Sequence, residues 1–409
     1  MKAASPQPAL RLSSRLSRLV PSASIDISRR AAEMRREGLD VISLSQGEPD
    51  FDTPAHIAAA GKRAIDEGQT RYTDVDGTPE LKRAIAARFE NAHGLHYATD
   101  QISVGNGGKQ VIFNALMALI ETGDEVLIPA PCWVSYPEMV RLAGGEPVSL
   151  PCPEDQDFRL TPEQLEAAIT ERTRVLILNS PGNPTGAGYD RAALSALGEV
   201  LKRHEKVFVI CDDIYELITF DGFEFVTLAA VTPELFERTL TLNGVSKGYA
   251  MTGWRIGYGA GPRELIRAMA ILQGQTTTNP CAISQAAAVA ALNGPLDFLE
   301  EYNEIFRQRR DLCARAMNAI DGLSCRLPEG AFYLFVGCAG VMGRHTPEGE
   351  RLEDDAALAR FLLEKAHVAV VPGSAFGLSP YFRLSFAAAT ERLGEACERI
   401  AQALDTLTD

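Results

Sequence analysis

A glycine-rich segment at residues 243–258 contains one lysine, Lys247, and one arginine, Arg255, eight positions later. It begins directly after a strand-like apolar run at residues 239–242. A lysine amine in such a place can attack a carbonyl group and bind a ligand covalently. A nearby guanidinium can hold a phosphate. A lone lysine is more often a solvated surface charge, so this segment by itself leaves both interpretations open.

Two further polar turns carry groups that can bind ligands. Gly107 and Gly108 precede a helical stretch, where free backbone N–H groups and the helix dipole attract an anion such as phosphate. Such glycines are also common in simple turns. Asp212 and Tyr215 close an apolar run, and a carboxylate in an apolar setting needs a partner. An ordinary helix N-cap is the alternative for Asp212.

The elements that position these residues alternate between strands and helices. Short apolar runs that end in polar or glycine-rich turns occur at residues 101–104, 174–179 and 206–210. Helices are predicted at 109–120, 161–170 and 190–204, the second with Thr161 as its cap and Pro162 at its first position. This alternation predicts an α/β fold with a mostly parallel sheet, in which ligands bind beyond the carboxyl ends of the strands.

The texture of the chain changes near residue 300. A charged helical run at residues 301–311 leads to strand-like pieces at 331–336 and 367–371 and to a last helix at 391–407. These elements predict a second, smaller α+β domain. We place the N-terminal arm and part of the small domain in residues 1–55, a large domain in 56–300 and the rest of the small domain in 301–409.

The bulk composition restricts the class of partner. The 409 residues carry a net charge of −14, which argues against a nucleic-acid partner but permits small anionic ligands. No apolar stretch of membrane-spanning length occurs. The eight cysteines include no C-x-x-C pair, so we expect no metal site. A cytoplasmic enzyme with reduced thiols fits best, and the Ser- and Arg-containing first 25 residues are interpreted as a polar arm rather than a transit peptide.

Four separated motifs resemble one family. Ser-Lys-x-x-x-Met-Thr-Gly-Trp-Arg-Ile-Gly-Tyr (246–258) resembles the cofactor-lysine motif of class I aminotransferases, which are fold-type I enzymes dependent on pyridoxal phosphate (PLP). Residues 179–186 and 212–215 resemble the asparagine loop and the aspartate strand of the same family. Residues 44–54, 107–110 and 133–140 resemble the bacterial aspartate aminotransferases more closely. All these motifs stand in family order.

The resemblance implies roles for individual residues. Lys247 would carry PLP and move a proton between the substrate Cα and the cofactor. Asp212 would pair with the pyridine nitrogen and keep the ring an electron sink. Tyr215 and Asn183 would hydrogen-bond the phenolic oxygen, and Trp133 would stack on the ring.

The resemblance also implies how the phosphate is held. The residues concerned are Gly107, Gly108, Ser246 and Arg255, with Tyr72 reaching across from a partner subunit of a homodimer. One departure from the family pattern is Gly244, which stands where some relatives have a phosphate-binding serine. The phosphate would therefore depend more on Arg255 and on the helix N-terminus.

On the substrate side, the resemblance implies that Arg383 grips the α-carboxylate in a bidentate pair, assisted by Asn183 and by the Gly47 backbone. Lys109 and Ser24 are the candidates for the distal carboxylate of a dicarboxylic substrate. A lysine in the first turn of a helix is locally unfavourable, which favours a functional reason for Lys109 over a surface charge.

We therefore expect an aminotransferase that moves the amino group of L-aspartate or glutamate to 2-oxoglutarate or a related oxo-acid by ping-pong chemistry. The alternatives are an aminotransferase for aromatic or neutral amino acids or for prephenate, and a PLP-dependent Cβ lyase. A PLP-sensing regulator is weaker still, because the short N-terminal arm leaves no room for a DNA-binding segment.

Overall fold

A computed structural model describes residue 10, residues 12–19 and residues 23–409, with the backbone alone for residues 23–25. The strands in chain order are β1 Ile42–Ser43, β2 Ile102–Gly105, β3 Glu125–Ala130, β4 Glu146–Pro151, β5 Thr173–Asn179, β6 Phe208–Asp212, β7 Thr239–Gly244, β8 Gly257–Ala260, β9 Ser324–Cys325, β10 Tyr333–Gly337, β11 Val368–Ala369, β12 Val371–Pro372 and β13 Tyr381–Ser385. The helices are α1 Ala23–Arg36, α2 Ala55–Asp66, α3 Pro79–His93, α4 Gly108–Leu119, α5 Ser135–Ala143, α6 Pro162–Ala168, α7 Arg191–Arg203, α8 Leu228–Val231, α9 Arg263–Gly274, α10 Ala282–Asn293, α11 Phe298–Asn318, α12 Asp355–Lys365 and α13 Thr390–Leu404.

Seven strands form one sheet in the order β2-β8-β7-β6-β5-β3-β4. Only β8 runs against the others in the described part of this sheet, since it is antiparallel to both of its neighbours. The predicted mostly parallel sheet is therefore confirmed. Because β8 is reversed, its first residue, Gly257, lies at the same edge of the sheet as the last residues of the parallel strands.

Helices cover both faces of this sheet, as buried parallel strands require. One apolar cluster joins the strands to α4, α5 and α9 through residues such as Val111, Met139 and Ile266. A second cluster joins the other face to α6 and α7 through Leu165 and Leu197. With both faces buried, ligands have access only to the edges of the sheet and the loops there.

A smaller antiparallel sheet, in the order β12-β13-β10-β9, packs against α11, α12 and α13. The N-terminal segment reaches the same region, because β1 pairs in parallel with β11. The predicted second α+β unit is thus present. The exact domain boundaries stay a prediction, and α11 runs across the proposed boundary at residue 300.

Most predicted elements lie within a few residues of their observed positions, and Thr161 caps α6 as predicted. The strand predicted at 367–371 is wrong in one respect. It is two strands in two different sheets, because β11 pairs with β1 whereas β12 pairs with β13. The strand predicted from residue 331 begins at Tyr333, since Ala331 has a positive φ of 58°. Among the described helices, none combines the length and the apolar character that a membrane crossing needs.

Candidate active site

The polar turns that follow the parallel strands meet at one edge of the large sheet, as the sequence predicted. There they line a cavity of about 880 Å³, which also reaches the smaller sheet. Eleven of the predicted site residues line it, namely Gly47, Gly108, Lys109, Trp133, Asn183, Asp212, Tyr215, Ser246, Lys247, Arg255 and Arg383. Residues from distant parts of the chain therefore share a single pocket.

Lys247 lies three residues beyond the end of β7. Its Nζ donates a hydrogen bond to the Gly47 carbonyl oxygen at 2.5 Å. Burial lowers the pKa of the Lys247 amine to about 8, and the positive charges of Arg255 and Arg383 act in the same direction. The neutral, nucleophilic form of this amine is therefore more accessible near pH 7 than that of an exposed lysine.

Asp212 is the last residue of β6 and is buried. Its Oδ2 accepts a hydrogen bond from the Tyr136 hydroxyl at 2.6 Å, and its backbone carbonyl accepts one from Asn179 Nδ2 at 2.7 Å. Burial raises the pKa of Asp212 to about 6, against the effect of Tyr136 and of Lys247. No helix begins at Asp212, which excludes the alternative of a helix cap.

Gly108 is the first residue of α4 and lines the cavity, and Gly107 is the N-cap residue before it. The φ of Gly107 is +83°, and a Cβ there would lie 2.4 Å from Nη2 of Arg255. The guanidinium of Arg255 therefore lies against the helix N-terminus because position 107 has no side chain. A Cβ at Gly244 would lie 3.1 Å from Gly257 Cα, so tight packing between β7 and β8 leaves little room for the serine of some relatives.

Lys109 and Trp133 form a second side of the cavity. Nζ of Lys109 lies 4.8 Å from the centroid of the Trp133 ring, a cation–π distance. Burial, together with the charge of Arg255, lowers the pKa of Lys109. Trp133 also meets Tyr136 edge to face, with the ring centroids 5.3 Å apart.

Arg383 projects into the cavity from β13 and is buried. Its Nη1 donates to Asn183 Oδ1 at 2.9 Å and its Nη2 to the Ser45 carbonyl at 2.6 Å. Its Nε has no hydrogen-bond partner. The guanidinium lies over the rings of Tyr333 and Phe376, at 4.5 and 5.0 Å from their centroids.

Tyr215, in the turn after β6, contacts the smaller sheet. Its hydroxyl lies 2.8 Å from that of Tyr333 on β10, and burial raises its pKa well above the usual value. A Cβ on residue 47 would lie only 2.7 Å from the hydroxyl oxygen of Tyr333. Gly47 is therefore required by this close approach, whatever its backbone binds.

Two predicted residues, Gly107 and Tyr72, do not line this cavity. Tyr72 is 89% exposed on the surface of the chain. Ser24 belongs to α1, but its side chain lies outside the described residues. Among the cavity residues that the sequence analysis missed are Ser45, Tyr136, Asn179, Tyr333 and Phe376, which contact predicted site residues. Tyr136 and Ser45 lie inside motifs used for the resemblance, so the sequence analysis included these residues without assigning them a role.

The fold and the site agree with one family. Residues 39–400 match the family described as aminotransferase class I and II. The chain belongs to this family and is an aminotransferase, as the resemblance predicted.

Individual relatives are similar over nearly the whole chain. An aspartate aminotransferase of Rhizobium meliloti strain 1021 is 57% identical over 408 residues, covering 100% of this chain and 98% of that protein. An aspartate/prephenate aminotransferase of Cereibacter sphaeroides is also 57% identical, covering 95% and 97%.

Solved structures confirm the fold-type I architecture. The crystal structure of the aspartate aminotransferase from Rhizobium meliloti superposes with a TM-score of 0.95 at 56% identity, covering 98% of this chain and 100% of that one. The aspartate aminotransferase from Thermus thermophilus with maleate gives a TM-score of 0.90 at 41% identity, covering 96% and 100%.

Proposed function

We propose that this aminotransferase uses PLP to move the amino group of L-aspartate or L-glutamate to 2-oxoglutarate or a related oxo-acid. The observation that carries the proposal is Arg383. This guanidinium is buried in the same cavity as the Lys247 amine, and among the described residues no carboxylate forms an ion pair with it. A buried cation without a counter-charge is costly, and the α-carboxylate of an amino acid supplies that charge.

The residues around Lys247 fit the cofactor. The buried amine with its lowered pKa is suited to react with the aldehyde group of PLP. The buried Asp212 carboxylate is suited to pair with a protonated pyridine nitrogen. The N-terminus of α4, Ser246 and Arg255 match a phosphate. When bound, PLP supplies the electron sink that weakens the Cα–H bond of the amino acid.

The chain's own residues then divide the work. Arg383, held by Asn183 and Ser45, orients the amino acid through its carboxylate. The Lys247 amine, whose pKa burial lowers to about 8, would take the proton from the substrate Cα and pass it to the cofactor. Tyr136 keeps Asp212 ionised by donating a hydrogen bond to it. Trp133 walls the cavity and excludes water.

Lys109 supports a preference for dicarboxylic substrates. Its ammonium lines the cavity beside Trp133 and has no carboxylate partner among the described residues. A distal carboxylate would neutralise it. The Thermus thermophilus relative is described with maleate, a four-carbon dicarboxylate. Ser24 stays a second candidate for this contact.

We further propose a homodimer and a cytoplasmic location. Tyr72 is 89% exposed and does not line the cavity of its own chain, and the apolar side chains of Ile271 and Ile65 are 69% and 55% exposed as well. If a second copy of the chain packs over this surface, Tyr72 would lie next to the cavity of that second copy. The division into large and small domains near residues 55 and 300 belongs to the same proposal.

The test is the visible absorption of the purified, PLP-loaded protein. L-aspartate alone should change the cofactor band, and 2-oxoglutarate should restore it. Restoration by prephenate as well would extend the acceptor range, as the Cereibacter sphaeroides relative's name suggests. Pyruvate release from a cysteine-like substrate without any oxo-acid would instead indicate a Cβ lyase.

Lys109→Ala tests the substrate class. We expect kcat/KM for aspartate and glutamate to fall about 10- to 100-fold, since a charge-assisted contact is lost, while phenylalanine turnover is unchanged. Lys62→Ala, which removes an exposed lysine on α2, is the matched control. Equal losses for both kinds of substrate, or no loss at all, would contradict dicarboxylate recognition by Lys109.

A further inference from the structure

Asp355 is a buried carboxylate that the mechanism above does not use. It is the first residue of α12 and is fully buried. Its Oδ2 accepts two backbone hydrogen bonds, from the N–H of Ser374 at 3.1 Å and from that of Tyr381 at 3.3 Å. One carboxylate oxygen therefore closes the loop of residues 374–381 at both of its ends.

This loop forms part of the cavity wall. Ser374, Ala375, Phe376 and Gly377 all line the cavity. The loop is also compact, because a Cβ on the neighbouring Gly373 would lie 2.5 Å from the Leu378 carbonyl oxygen. The tight packing within the loop therefore leaves it little space to change its conformation.

The loop contacts Arg383 directly and also contacts Cys132, the residue before Trp133. The Phe376 ring lies 5.0 Å from the Arg383 guanidinium, and the Phe376 carbonyl accepts a hydrogen bond from the N–H of Cys132 at 3.0 Å. Cys132 directly precedes Trp133 in the chain. At its other end, Tyr381 begins β13, which holds Arg383 two residues further on.

The carboxyl group of Asp355 has few partners besides the loop. Among the described residues no cation pairs with it, and its Oδ1 has no hydrogen-bond partner. The negative charge of the Asp355 carboxylate is stabilised by the two N–H groups of the loop and by the positive end of the α12 dipole. The carboxylate therefore holds the loop with charge-assisted bonds, which are stronger than neutral ones.

We propose that Asp355 is a positioning residue for the substrate, since its carboxylate fixes the loop that sets Phe376, and through it Arg383, at the cavity wall. This role rests on the proposed function, because it assigns Arg383 to the substrate carboxylate. Asp355 touches neither substrate nor cofactor site directly, so its effect is expected on substrate affinity rather than on cofactor binding.

The neighbouring Asp354 provides a matched control. It is exposed, and its Oδ1 caps α12 by accepting from the Ala357 N–H at 2.7 Å, without contact to the loop. Asp355→Ala should raise the KM of the amino-acid donor about tenfold, with kcat and the cofactor absorption changed less than about twofold. Asp354→Ala should lower Tm by about 2 °C and leave KM unchanged.

A second variant covers the case in which Asp355→Ala does not fold. Asp355→Asn keeps an accepting oxygen but loses the charge, so we expect KM to rise about threefold and amide hydrogen exchange in residues 374–381 to accelerate. Faster exchange with an unchanged KM would overturn the positioning role and leave a structural one.

The donor in these assays is whichever amino acid the wild type converts best, since every amino acid presents the same α-carboxylate. An active wild type with an unchanged KM in the Asp355 variants would overturn this role alone. A PLP-loaded wild type that converts no amino acid would overturn the proposed function and this role with it.

Discussion

The two walls of the cavity are built in different ways. On the large-sheet side, Asn183, Asp212 and Lys247 lie at or just beyond the carboxyl ends of neighbouring parallel strands, so one end of the sheet brings them together. On the opposite side, Arg383 and Tyr333 lie within antiparallel strands and depend on the segment at residues 44–47. In the proposed function the first wall holds the cofactor and the second wall holds the substrate carboxylate, so the two functions should be separable by mutation.

Lys247→Ala should have the largest effect, because the proposed function assigns Lys247 both to holding the cofactor and to moving the substrate proton. Loss of the amine removes the proton carrier, and we expect turnover to fall about 10⁴-fold or more. PLP should still bind through the phosphate contacts but should be released by dialysis. Steady-state assays and absorption spectra before and after dialysis measure both effects, with Lys62→Ala as the control. Turnover within tenfold of the wild type would remove Lys247 from the mechanism.

Arg383→Lys should affect the substrate wall alone. A lysine cannot form the bidentate pair, so we expect the KM of the amino acid to rise about 100-fold while the cofactor absorption stays as in the wild type. Arg392→Lys, a change in a partly exposed arginine paired with Asp40, should leave KM unchanged. If Arg383→Lys also weakens PLP binding, the two walls are not independent.

Tyr136→Phe should give a smaller effect on the cofactor wall, and one that depends on pH. The hydrogen bond from Tyr136 lowers the pKa of Asp212, so its loss should raise that pKa above its value of about 6. The acidic limb of the kcat–pH profile should then move to higher pH, with activity several-fold lower at pH 6.5 and recovered near pH 8.5. Tyr302→Phe is the control, since that hydroxyl donates to the Asp52 carbonyl away from the cavity. An unmoved limb would mean that ionisation of Asp212 does not limit the reaction.

The sequence predicted the first wall better than the second. Residues at or shortly after a strand end, such as Asp212 and Lys247, carry a local signal because strand and turn are adjacent in the chain. Tyr136 and Tyr333 were missed because their partners, Asp212 and Tyr215, are 76 and 118 positions away. Strands β11 and β12 were merged for the same reason, since only the pairing partner decides which sheet a short extended run joins.

The pairing of β1 with β11 has a consequence for biosynthesis. Arg383 and the Ser45 carbonyl that it contacts are 338 positions apart, so the substrate wall requires nearly the whole chain. The ribosome releases the parallel strands of the large sheet long before β11 and β13 emerge, whereas closing such a long loop is slow. During synthesis we therefore expect the residues of the cofactor wall to come together first. The substrate wall with Arg383 forms only when the last steps of folding bring the two ends of the chain together.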